Sequence, residues 1–320
     1  MRGAVFIMRA GRWAFDDGRQ RMAALPGRQQ GRTWRRAGIR GALVCVAMLL
    51  VWLAGTVNAR AGTPVSAGDT TPLVIGETFV LVSQAVGETR RINVYRPTAW
   101  NVPADDPLPV LYMPDGGIGE DFLHVAGLVQ VLVANGSMRP FLLVGIENTA
   151  RRRDMTGPTS DPDDRRIAPR VGGSAAFRRF LRDELMPQVR RRYATTPETA
   201  IMGESLAGLF VVETLLREPA LFDTYIALDP SLWWNRGGLV DEAEALLALH
   251  APQGKTVFVA TSAERGIAVP SARFMEALTA HAPGVRRRYV ALPDESHQTL
   301  YHPAALLALR SLFTPVAATP

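Results

Sequence analysis

Two periodicities alternate along the chain from about residue 79 onward. Phe79–Val86 and Arg90–Arg96 alternate apolar and polar side chains, as half-exposed antiparallel strands do. Leu108–Met113 and Phe141–Ile146 are unbroken apolar runs, which predicts parallel strands covered on both faces. Phe122–Ala134 between them has helical spacing. So has Ser174–Tyr193, with a stripe of Phe177, Phe180, Leu181, Leu185 and Val189. Further strands are expected at Ala200–Met202, Tyr225–Leu228, Thr256–Ala260 and Arg287–Ala291. Helices are expected between and after them, at Leu206–Arg217, Leu239–Leu249, Ser271–His281 and Pro303–Phe313. Such alternation predicts an α/β fold, a mainly parallel central sheet with helices on both faces. The long connection Glu147–Gly173 fits no element and carries Arg151, Arg152, Arg153, Arg165, Arg166 and Arg170 among several aspartates.

Composition changes the picture mainly at the N-terminus. Residues 1–61 hold eleven of the 36 Lys and Arg residues and two acids, Asp16 and Asp17. Of the 30 acids, 28 remain in 62–320, against 25 basic residues. The pI near 10 therefore belongs to the leader, and the body gives no ground for nucleic-acid binding. After Arg35, Arg36 and Arg40 comes an uncharged run, Gly41–Val57, then small residues at Val57-Asn58-Ala59 and Ala59-Arg60-Ala61. Basic, apolar and small-residue regions in that order predict a signal peptide, hence a periplasmic or secreted protein. The alternative is an uncleaved inner-membrane anchor over 41–57, but ~17 residues at ~1.5 Å each fall short of a bilayer core of roughly 30 Å. Cys45, the single cysteine, lies in that run. The division expected is 1–61 leader and signal segment, 62–72 Gly/Pro/Ser/Thr-rich linker, and 73–320 one catalytic domain. Oligomeric state is not legible.

The chemistry centres on Thr199–Phe210. An apolar strand stops at Gly203, a helix begins at Leu206, and Ser205 stands between them. Gly203, Ala207 and Gly208 supply the small residues that such a tight turn needs, with Ala207 where the strict pattern has glycine. Serine requires a base, and the base an orienting carboxylate. Of five histidines only His297 falls in the loop after the last strand, where this arrangement places the base. Glu264, after Thr256–Ala260, is the expected acid, with Asp229 and Asp294 as competitors. Two amides should hold an oxyanion: Leu206, directly after the serine, and Gly116 or Gly117 in the loop after Leu108–Met113. Trp233, Trp234, Arg151 and Arg152 are candidate substrate contacts; the tryptophans could equally be core. No His-x-x-x-His, paired-cysteine or dinucleotide-binding pattern occurs, so no metal or cofactor is expected.

Together, Leu111-Tyr112-Met113-Pro114-Asp115-Gly116, Gly203-Glu204-Ser205-Leu206-Ala207-Gly208, Pro230-Ser231-Leu232-Trp233-Trp234 and Asp294-Glu295-Ser296-His297 resemble the putative-esterase branch of the α/β-hydrolases. That branch includes siderophore trilactone esterases, formylglutathione hydrolases, feruloyl esterases and mycolyltransferases, and the Pro-Ser-Leu-Trp-Trp string is most similar to the siderophore-esterase side. The resemblance covers about 75–315. It implies an α/β-hydrolase fold and a serine esterase acting on a small-molecule ester through an acyl-enzyme, with a siderophore lactone or phenolic ester as substrate class. An acyltransferase and a non-catalytic ligand-binding protein on the same fold are the alternatives. Glu204 stands where siderophore esterases often have histidine, and Asp229 where they often have serine.

Overall fold

The computed structural model describes residues 71–98 and 102–315. The leader, the apolar run 41–57 with Cys45, the cleavage site and residues 62–70 of the expected linker lie outside them. Among the described residues no helix is long and apolar enough to cross a membrane.

Eight strands form one sheet: β1 (Glu77–Ser83), β2 (Glu88–Tyr95), β3 (Leu108–Pro114), β4 (Leu142–Ile146), β5 (Thr195–Glu204), β6 (Thr224–Leu228), β7 (Thr256–Thr261) and β8 (Arg286–Ala291). Their order is β1-β2-β4-β3-β5-β6-β7-β8. The β1–β2 and β2–β4 pairs are antiparallel, and β4 to β8 run parallel through β3, β5, β6 and β7. The all-apolar runs became the central strands: β3, β4 and β6 are buried along their whole length. β8 is the exposed edge, and Arg286, Arg287 and Arg288 on it hinder pairing with another chain.

Two cores flank the sheet. One is built from Phe177, Phe180, Phe210, Phe222 and Phe274, the other from Phe122, Val129, Phe141, Leu309 and Phe313. Helices Phe122–Ala134 and Leu206–Arg217 have the bounds their patterns predicted. Ser174–Tyr193 differs: helices Ser174–Arg179 and Met186–Arg192 flank a π-helical stretch, Phe180–Leu185. Pro187 lacks the N–H that would continue a regular ladder, which accounts for the wider turn before it. Helix Arg265–His281 starts earlier than the expected Ser271, with Pro270 inside it, where the missing N–H removes only one backbone bond. The connection after β4 is not structureless; it holds helical turns Arg151–Asp154 and Pro162–Ile167.

Candidate active site

The site lies where β3, β5 and β6 end. Three non-glycine residues adopt positive φ there: Asp115 (56°), Ser205 (60°) and Asp229 (44°). Each follows directly on the last residue of its strand, so the chain reverses sharply and lifts one side chain over the sheet edge. At Ser205 the reversal requires its neighbours to be small. A Cβ on Gly203 would come within 2.7 Å of the Ala207 backbone and Cβ, and one on Gly208 within 3.0 Å of Pro230 Cα. Alanine fits at 207 because residue 203 has no side chain to meet it.

From the opposite side the loop after β8 brings His297, whose Nε2 is 3.0 Å from Ser205 Oγ. Its Nδ1 is 2.7 Å from Asp229 Oδ2. Asp229 is fully buried. Its carboxylate also accepts the Ser262 N–H (2.7 Å) and Oγ–H (2.9 Å). The hydrogen bond to Asp229 raises the His297 pKa above the usual imidazole value; burial opposes the rise, and the charge of Glu204 adds to it. The acid expected at this point, Glu264, sits elsewhere. It precedes helix Arg265–His281, and its Oε1 accepts the backbone N–H of His297 at 3.2 Å. Asp229, directly after β6, meets Nδ1, while Glu264, three residues beyond β7, holds only the loop. Ser262, which the sequence did not single out, aligns Asp229; Ser231 is another such neighbour, with Oγ 3.3 Å from Ser205 Oγ.

The oxyanion donors divide. Leu206 opens the helix after Ser205, and the N–H of a first helical residue has no acceptor within the helix. Both glycine amides are already engaged, Gly116 N–H with Ile146 O (2.9 Å) and Gly117 N–H with Glu120 Oε2 (2.7 Å). Residue 116 is glycine for another reason: a Cβ there would sit 2.3 Å from Gly145 Cα on β4.

The remaining candidates are largely tied up. Arg151 points both arms of its fork at Asp115, Nε–Oδ1 at 2.6 Å and Nη2–Oδ2 at 2.8 Å. Arg152 donates to the Ile167 carbonyl at 2.6 Å. Trp234 is 4% exposed and donates to the Gly157 carbonyl at 3.0 Å, so it packs in the core and pins the loop after β4; Trp233 is 38% exposed. Glu204 lies beside the imidazole. Burial pushes its pKa up to about 7, while His297 and Arg151 pull it back. Among the described residues no cluster of three or more His, Cys, Asp or Glu could hold a metal ion.

A mainly parallel sheet with a serine at its central strand–helix turn, an imidazole at hydrogen-bond distance and a carboxylate behind it is the architecture of serine carboxylic ester hydrolases. The Putative esterase family model matches residues 83–270, and the chain belongs to that family. It is 28% identical over 216 residues to the ferri-bacillibactin esterase BesA of Bacillus subtilis, covering 61% of this chain and 73% of that protein. To the siderophore triacetylfusarinine C esterase of Aspergillus fumigatus it is 33% identical over 196 residues, covering 55% of this chain and 62% of that one. An IroE-like serine hydrolase from Shewanella oneidensis superposes with a TM-score of 0.67 at 25% identity, over 74% of this chain and 80% of its own.

Proposed function

We propose that Ser205 is the nucleophile of this esterase, His297 its base and Asp229 the group that orients the base. The unbroken hydrogen-bonded line Oγ–Nε2, Nδ1–Oδ2 carries the proposal. Ser205 Oγ attacks the ester carbonyl carbon as its proton passes to Nε2. Nδ1–H stays on Asp229, whose charge stabilises the imidazolium. The carbonyl oxygen, now an oxyanion, lies at the Leu206 N–H and the positive end of its helix. When the tetrahedral adduct collapses, the alkoxide leaves with the proton from Nε2, and water repeats the sequence on the acyl-enzyme.

The substrate class proposed is an ester-linked siderophore, in keeping with what the relatives' names say they act on. Trp233 supplies exposed aromatic surface two residues after Ser231. Arg151 and Arg152 are engaged within the chain, so Arg152→Ala should leave activity little changed. Residues 1–61 have the order of an export signal, and we place the protein outside the cytoplasm, with the domain from about 73 as the working part. The test is labelling by a fluorophosphonate. The parent should be labelled at Ser205 and should hydrolyse 4-nitrophenyl butyrate, and Ser205→Ala should do neither. A Ser205→Ala protein keeping more than a few per cent of parent activity refutes the assignment.

A further inference from the structure

Glu204 has no part in the cycle above, yet its carboxyl lies beside the reacting atoms. It directly precedes Ser205, its side chain is 16% exposed, and Oε1 is 3.6 Å from His297 Nε2, the nitrogen proposed to take the serine proton. Neighbouring Arg151 does not neutralise it by direct pairing: the guanidinium fork goes to Asp115 and reaches only the backbone carbonyl of Glu204, at 3.5 Å. The other charged or titratable groups facing it are His297 from the loop after β8, Asp115 at the end of β3, Asp229 at the end of β6 and Tyr301 opening the last helix. Asp115 is matched by Arg151, and Asp229 by His297. That leaves the charge of Glu204 as the one without a matched cation among these groups.

Such a charge beside Nε2 has two effects. It stabilises the imidazolium, which assists every ester alike. It also repels negative charge on the substrate, and that effect discriminates. We propose that Glu204 is a specificity-determining residue whose carboxylate selects esters uncharged or cationic around the scissile bond and rejects those bearing an anion there. The proposal rests on the Ser205–His297 reading and narrows its substrate class to esters without an anionic group beside the scissile bond. An ester carbonyl in position to react lies ~3–3.5 Å from Oγ. A carboxylate a few bonds further on is then roughly 7–9 Å from Glu204, and at an effective dielectric of about 20 repulsion over that range disfavours binding by about 20- to 50-fold. Because burial pushes Glu204 up to about 7, the discrimination should be stronger at pH 8 than at pH 6.

A matched pair of esters tests this: 3-carboxyphenyl butyrate, an anion, and 3-carbamoylphenyl butyrate, its uncharged near-isostere. The ratio of kcat/KM for amide over acid is measured at pH 6 and 8 in the parent, Glu204→Gln and Glu204→Asp. The parent should favour the amide, more so at pH 8. Glu204→Gln should shrink the pH 8 ratio at least tenfold, and Glu204→Asp should keep most of it. A merely structural Glu204 would lower both rates together and leave the ratio alone. A ratio equal in parent and Glu204→Gln overturns the proposal while fluorophosphonate still labels Ser205. Failure to label Ser205 in the parent overturns the catalytic reading beneath it.

Discussion

Replacing Asp229 by asparagine should disable the site while hardly disturbing its shape. Oδ1 of Asp229 accepts the Ser262 backbone N–H at 2.7 Å, and that donor cannot turn away because it belongs to the chain leaving β7. An asparagine here must keep its oxygen on that N–H, so its NH2 faces His297 Nδ1, 2.7 Å away in the parent. Two donors cannot share that contact. The imidazole responds by placing its proton on Nε2, where it faces Ser205 Oγ and can no longer accept the serine proton. Loss of the correct tautomer, together with loss of the charge behind the imidazolium, costs about 10⁴-fold in kcat, or roughly 5 kcal/mol of barrier. Glu264→Gln is the control: its amide oxygen can still accept the His297 backbone N–H, so kcat should change by no more than a few-fold. The assay is kcat and KM for 4-nitrophenyl butyrate, with the melting temperature of each variant as the check on folding. An Asp229→Asn enzyme retaining a tenth of parent kcat, or a Glu264→Gln enzyme falling as far as Asp229→Asn, refutes the reasoning.

The sheet and the chain order of Ser205 and His297 were legible because their signals are local. Apolar runs as long as Leu108–Met113 cannot stay in water, and Gly203-Glu204-Ser205 between an apolar run and a helical stripe marks a strand-to-helix turn. Which carboxylate reaches Nδ1 is not local. Asp229 and His297 are 68 residues apart, and the choice among Asp229, Glu264 and Asp294 depends on how far each strand end projects. Side-chain pairing is equally hidden. Arg151 and Arg152 read as substrate contacts, but Arg151 meets Asp115 at the end of another strand, and Arg152 meets the Ile167 carbonyl. Gly116 illustrates a third difficulty. Its need for glycine comes from Gly145 on the neighbouring strand, and a sequence shows the glycine without the neighbour that demands it.

The acid limb of kcat/KM should lie above the ordinary imidazole value of 6.5, since the Asp229 hydrogen bond favours protonated His297 and only the neutral ring can act as base; a limb at or below 6.5 contradicts this. The same shift means that His297 contributes stability below pH 6.5 that is lost as pH rises through its folded pKa. Asp154 is fully buried against Arg90 at 2.5 Å, with Arg90 stacked near Phe177 and Phe180 and Glu88 as its second partner at 2.6 Å, so Asp154→Ala removes the buried one of two counter-ions and should destabilise by about 2–4 kcal/mol in urea melts. A loss below 1 kcal/mol would mean that Glu88 alone is enough to neutralise Arg90. Glu88 is desolvated, but hydrogen bonds from Arg153 and Thr149 outweigh that and hold its pKa at about 2. The stability it adds is complete above the unfolded value near 4.5 and lost as pH falls toward 2, so Glu88→Gln should flatten the melting-temperature profile in that window. Finally, Ser205 holds φ 60° and ψ −119°, a conformation in which any Cβ is strained. Ser205→Gly and Ser205→Ala both lose the hydroxyl bonded to His297, and only the alanine keeps the Cβ, so their difference reports the strain less the extra chain entropy of unfolded glycine. Strain of ~1–3 kcal/mol less ~0.4–1 kcal/mol of that entropy leaves glycine the more stable by about 1–2 kcal/mol, or roughly 2–4 °C in Tm for each kcal/mol in a domain of this size. An alanine variant melting at or above the glycine one would show that strain at Ser205 does not exceed that entropy, so that the nucleophile's exposure costs less than about 1 kcal/mol of stability.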